Sequence, residues 1–177
     1  MAESYGGVLG AIPFAIRNTR SWTMRIYGVV GACAAAFITV VVILALVVWM
    51  GETAGMDSGL FLVSRALYVV AGFAAVAPLL APLLFVARRH RRGLAVADGY
   101  DRRLAYMGFL FLGSLYVGMV ITAPADLREP TESTLVSALY TLPPFVGVIP
   151  PLAAAAGIFL THRRLRLPNG GTSTDGE

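Results

Sequence analysis

Charged residues divide this chain into four long uncharged runs, between Arg25 and Glu52, Arg65 and Arg88, Arg103 and Asp126, and Glu132 and His162. The runs hold about 26, 22, 22 and 29 residues. A helix needs roughly 20 to cross a hydrocarbon core about 30 Å thick. Backbone groups in lipid must be satisfied internally, so runs of this length predict helices. Strands of a membrane barrel would be about half as long and would alternate. The pattern predicts an all-α integral membrane bundle of four transmembrane helices, at about 27–50, 60–88, 104–124 and 134–162 within a transmembrane domain of residues 27–165.

Residues 1–26 form a separate cytoplasmic or interfacial segment in this reading. Tyr5, Leu9, Ile12 and Ile16 recur at three- and four-residue steps, as one face of a helix does. A short helix of this kind suits the membrane interface, although its glycines and Pro13 work against it. Residues 166–177 are polar and turn-rich, and predict a disordered tail. Met1 to Gly7 carry Glu3 and no basic residue, so the start does not read as a secretory signal, which needs a positive n-region.

Charge then orients the bundle. Arg17, Arg20 and Arg25 precede the first span, Arg88, Arg89, Arg91, Arg92, Arg102 and Arg103 fill the loop between the second and third, and Arg163, Arg164 and Arg166 follow the fourth. Only Arg65 and Arg128 lie on the other side, among Glu52, Asp57, Asp126, Glu129 and Glu132. By the positive-inside rule the arginine-rich side is cytoplasmic, which puts both termini inside. Trp22, Tyr27 and Trp49 fall at the ends of the first span, where amphipathic rings favour headgroup depth. Arg65 is expected to snorkel towards Glu52 or Asp57.

Composition agrees. The chain is 57% hydrophobic and 14% charged, with a mean hydropathy of +0.73, too little charge to cover a soluble surface. Its net charge is +4 and its pI about 9.6, yet the sidedness of the arginines accounts for that basicity without nucleic acid. There is no Lys among the basic residues, which with the Ala, Val and Gly bias points to a GC-rich genome such as a haloarchaeon's or an actinobacterium's. Cys33 is the one cysteine, so no intrachain disulfide and no zinc site of the usual Cys/His spacing is expected.

Two features have chemical potential. The last run reads TLPPFVGVIPP, and Pro143, Pro144, Pro150 and Pro151 leave the carbonyls of Leu139, Tyr140, Val146 and Gly147 without their usual helical partners. In a broken-helix transporter such carbonyls, with Tyr140 and Thr141 beside them, would coordinate a solute or ion. The blander and commoner outcome is a kink patched by hydroxyls or water. The loop RRHRRGLAVADGYDRR, with Arg88, Arg89, Arg91, Arg92, Arg102 and Arg103, reads as a patch for anionic headgroups, as a dock for RNA or an acidic partner, or as a topology signal alone. His90 and His162 lie among these arginines without an evident carboxylate partner, and read as topogenic or solvated. Small residues recur at four-residue spacing in Gly28, Ala32 and Ala36, in Ala71 and Ala75, in Ser114 and Gly118, and in Ala153 and Gly157. Such faces let helices approach closely, within one bundle or between copies.

Between their bounding charges the spans hold no Asp, Glu, Arg or His. Proton-coupled transport usually needs such groups near the midplane, and a protease would need metal ligands or a base. No enzyme, cofactor or metal is therefore expected. The stretches YGGVLGAIPFAIRNTRSW, GYDRRLAYMG and LYTLPPFVGVIPPL resemble small uncharacterised haloarchaeal membrane proteins, a domain of unknown function with four predicted helices. The resemblance implies the same topology and brings no activity, cofactor or functional residue. Two functions stay open. One is a non-enzymatic accessory or interaction subunit of the cell membrane, whose partners are lipids, other membrane proteins or itself. The other is a small permease for a neutral or apolar solute, using the proline breaks and the hydroxyls of Tyr68, Tyr116, Tyr140 and Thr141. No nucleic-acid partner is expected.

Overall fold

The computed structural model describes residues 7–19, 21–55, 59–94, 97–128 and 133–166. The tail expected to be disordered, and Tyr5, Arg20 and Asp57, lie outside these residues. Among the described residues every regular element is a helix: α1 is Gly7–Asn18, α2 Trp22–Glu52, α3 Gly59–Arg91, α4 Tyr100–Thr122, α5 Thr134–Tyr140 and α6 Ile149–Leu165. Short 3-10 turns occupy Ala125–Leu127 and Pro144–Val148. Four stretches are long and apolar enough to cross a membrane: α2, α3, α4, and Pro144–Leu165.

Local chemistry sets the helix ends. The Ser21 hydroxyl accepts from the Met24 N–H at 3.4 Å and starts α2. At its far end the Thr53 N–H and hydroxyl both donate to the Trp49 carbonyl, at 3.0 and 2.7 Å. Gly99, at φ +75°, turns the chain into α4, a conformation that favours glycine. Pro78 and Pro82 lie inside α3 without ending it.

The best-packed part of the bundle lies towards the arginine-rich ends. Tyr27, Leu79, Leu83, Leu104 and Phe111 are almost wholly buried there. Tyr27 was expected at headgroup depth; it turns inward instead. Its hydroxyl donates to the Leu79 carbonyl at 2.6 Å, and its ring meets Phe109 edge-on at 5.1 Å. Gly108 makes room for that ring, since a Cβ there would stand 2.2 Å from it. A buried hydroxyl needs a partner, and this carbonyl supplies one inside the bundle, which removes the reason to stay at the interface.

The N-terminal segment forms the expected helix, and α1 docks on α2 and α3. Ala11 and Ala15 are buried, with Ile12 and Ile16 half-buried beside them. Gly28 of the small-residue pattern receives Ile16 of α1, so here the small residue admits a side chain from the N-terminal helix. Gly118 does bring two backbones together: a Cβ there would lie 2.6 Å from the Gly147 carbonyl oxygen. Ala36 and Ala153 face outward.

The fourth run is several pieces. α5 ends at Tyr140, a turn leads to Pro143, and the 3-10 turn passes into α6. A single helix over 134–162 does not form, because two adjacent prolines remove consecutive N–H donors and restrict the residues before them.

Candidate functional site

The arginine-rich ends converge on a set of polar contacts. Asp101, in the first turn of α4, accepts from the Thr19 hydroxyl at 2.6 Å and lies 3.1 Å from His90 Nε2. The α1–α2 junction, the end of α3 and the start of α4 are thus tied to one carboxylate. An acid in a first helical turn is favoured by the helix dipole, which helps hold Asp101 amid the arginines. The Arg25 guanidinium closes the same junction by donating to the Thr19 carbonyl at 3.1 and 3.3 Å.

The histidine expectations need correction in part. His90 stays exposed, as expected, but has a carboxylate partner in Asp101. His162 stacks on Phe85 at 4.0 Å between centroids, and its Nδ1 lies 2.6 Å from the Tyr100 hydroxyl. It therefore packs α6 against α3 and α4 instead of facing water. The Ala97 N–H donates to the Leu165 carbonyl at 3.1 Å and adds the α3–α4 connection to this contact.

Beside Asp101 lies an open polar cavity of about 850 Å³, bordered by Asn18, Trp22, His90, Asp98, Asp101 and Arg102 among others. No group of three or more His, Cys, Asp or Glu able to hold a metal ion occurs among the described residues. Asp101→Ala should loosen the whole junction. Losing hydrogen bonds to a partly exposed carboxylate should cost about 1–2 kcal/mol. Detergent unfolding should show the lower stability, and trypsin should cut faster at Arg17 and Arg25; an unchanged profile would remove Asp101 from this role.

The six loop arginines separate by helical phase. Arg89 is 9% exposed, packed into the end of the bundle. Arg88, Arg91 and Arg92 are exposed and, with Leu84, border a second cavity of about 530 Å³. Arg102 and Arg103 are exposed on the first turn of α4.

At the opposite end, Arg65 donates to the Thr53 carbonyl at 3.1 Å and to the Thr53 hydroxyl; of its two expected partners, Glu52 is not among its described contacts and Asp57 lies outside the described residues. The helix end presents unsatisfied carbonyls there, and these lie within reach of the guanidinium. Near it Tyr68 meets Trp49 edge-on at 5.7 Å.

The proline break is largely satisfied from within. The Leu139 carbonyl accepts from the Leu142 N–H at 3.2 Å, and that of Val146 from the Ile149 N–H. The Tyr140 carbonyl accepts from Arg128 Nη1 at 2.8 Å, while Arg128 Nε donates to Ala123 at 3.0 Å and the guanidinium lies 5.3 Å above the Tyr140 ring. The Gly147 carbonyl abuts Gly118. This role of Arg128 was not anticipated from the chain, although an arginine twelve residues before a proline-freed carbonyl is a signal worth reading. Thr141 donates to its own helix, at the Ala138 carbonyl, 2.7 Å away. Tyr116 is 66% exposed, on the lipid side. Tyr68, Tyr116, Tyr140 and Thr141 border none of the described cavities, the groove beside the break included. What lies beside the break is an apolar groove of about 310 Å³ between α3, α4 and α6, lined in part by Ala75, Gly118, Gly147 and Pro151.

A family model matches residues 1–166, nearly the whole chain. The chain belongs to the family Domain of unknown function (DUF8056). The match is in keeping with a membrane protein whose process is unknown, and it assigns no residue a role. No curated protein and no solved structure matches the chain.

Proposed function

We propose that this is a non-enzymatic, multi-pass component of the cell membrane, an accessory or interaction subunit with its arginine-rich end and both termini in the cytoplasm. The observation that carries the reading is the bareness of α2. In its most apolar stretch 11% of residues are buried, against 33% in α4, and Phe37, Leu44, Val47 and Val48 all stand outward. In lipid such a face is tolerated without cost, and it is also where a second membrane protein can pack. The reading is preferred to a permease because three of the four carbonyls at the proline break accept hydrogen bonds and none of the four hydroxyl-bearing residues borders the groove beside it. A haloarchaeal source goes with the proposal, on the all-arginine basic composition.

Photo-crosslinking from α2 tests it. A benzophenone residue at Phe37 or Leu44 in native membranes should yield a discrete protein adduct, and one at buried Leu83 should not. Adducts to lipid alone from both outward positions would sink the interaction reading.

A further inference from the structure

The exposed arginines at the end of α3 are arranged, not merely abundant. Arg88 and Arg91 lie three residues apart in the last turn of α3, and Arg92 follows in the turn just beyond its end. This is the α3 C-terminus, where the helix dipole already favours cations. The three arginines border one cavity of about 530 Å³ together with Leu84, one turn deeper than Arg88, about 6 Å along the axis. Among the described residues no carboxylate borders it. Further down the same side of α3 come Ala81 and Ala77, small and apolar.

We propose that Arg88, Arg91 and Arg92 form a seat for the phosphate of an anionic membrane lipid, with Leu84, Ala81 and Ala77 along its chains. Guanidinium groups match phosphate oxygens in a bidentate fork, and several converging on one open volume can surround a tetrahedral anion. The choice of a lipid over a free anion rests on the floor of the seat. Leu84 and the alanines continue towards the hydrophobic stretch of α3, so an occupant is offered charge above and apolar surface below. Basic pockets at the ends of membrane helices recognise lipid headgroups on the same grounds. The seat requires only that α3 crosses a membrane. It holds whether or not α2 has a protein partner, so a failure of the crosslinking experiment would leave it standing.

The test is equilibrium binding of fluorescent phosphatidylglycerol and phosphatidylcholine to the purified full-length protein in neutral detergent. The native protein should prefer phosphatidylglycerol by roughly tenfold or more at low salt. Substituting R88Q, R91Q and R92Q together should abolish most of that preference. Substituting R88K, R91K and R92K keeps the charge, and with it the insertion signal, but loses the fork; it should retain only part of the preference. A control with R17Q, R164Q and R166Q removes the same charge elsewhere and should bind like the native protein. Equal loss in the control, full preference in the lysine variant, or displacement by inorganic phosphate as effective as by unlabelled lipid would each overturn the seat.

Discussion

Gly108→Leu is expected to separate α2 from α4 and to cost about 3 kcal/mol or more of stability. Overpacking costs about 1–3 kcal/mol and occasionally more, and loss of the Tyr27 hydrogen bond adds about 1. The reason is geometric. Even a Cβ at position 108 would stand 2.2 to 2.6 Å from the Tyr27 ring and hydroxyl. The ring is fully buried and pinned to the Leu79 carbonyl, so it has nowhere to turn. Intrinsic helix propensity pushes the other way, because leucine is the better helix former by several tenths of a kcal/mol. Gly113, five residues on, is exposed with open space around it, so Gly113→Leu should be neutral or slightly stabilising. Denaturation in mixed detergent would compare the two, and equal behaviour would remove Tyr27 from the centre of the core.

Gly118→Leu is the second large effect, and a more local one. Its Cβ would meet the Gly147 carbonyl oxygen at 2.6 Å, and that atom is backbone held in the 3-10 turn after the proline pair. Gly147 is equally confined, with Gly118's own carbonyl 2.8 Å from where its Cβ would lie. Neither side can yield by a rotamer change, so α4 and the broken segment must move apart. We expect a loss of about 2–3 kcal/mol. Amide hydrogen exchange should quicken over α5 and the 3-10 turn while α1, α2 and α3 keep their protection. Uniform quickening along the chain would mean that the contact supports the whole bundle and not the break.

These two glycines also mark how far the sequence could be read. The spans were legible because a single charge inside one would be costly, so Arg25, Glu52, Arg65 and Arg88 announce their limits. Small-residue spacing pointed to Gly118, but its partner Gly147 sits within the proline-rich run and shares no such spacing. Gly108 escaped notice because it accommodates a large side chain from another helix, a contact with no periodicity to detect. The proline break was visible, whereas the guanidinium that engages it comes from a loop. Likewise the arginine cluster was plain as charge, but which members face outward depends on the phase of α3. His90 and His162 read as topogenic or solvated for the same reason: Asp101 and Phe85 approach them only once the helices have docked.

Four crossings with the arginine-rich end inward is the claim on which the rest depends, and thiol labelling in intact cells tests it most directly. In a Cys33→Ser background, single cysteines would replace Ala54 or Asp126 at one end and Asp98 or Ser173 at the other. With a membrane-impermeant maleimide, Ala54→Cys and Asp126→Cys should label in intact cells, and Asp98→Cys and Ser173→Cys only after lysis. Labelling of Asp98→Cys or Ser173→Cys in intact cells, with the other pair protected, would reverse the orientation; labelling of one member from each pair would contradict the four-span arrangement itself.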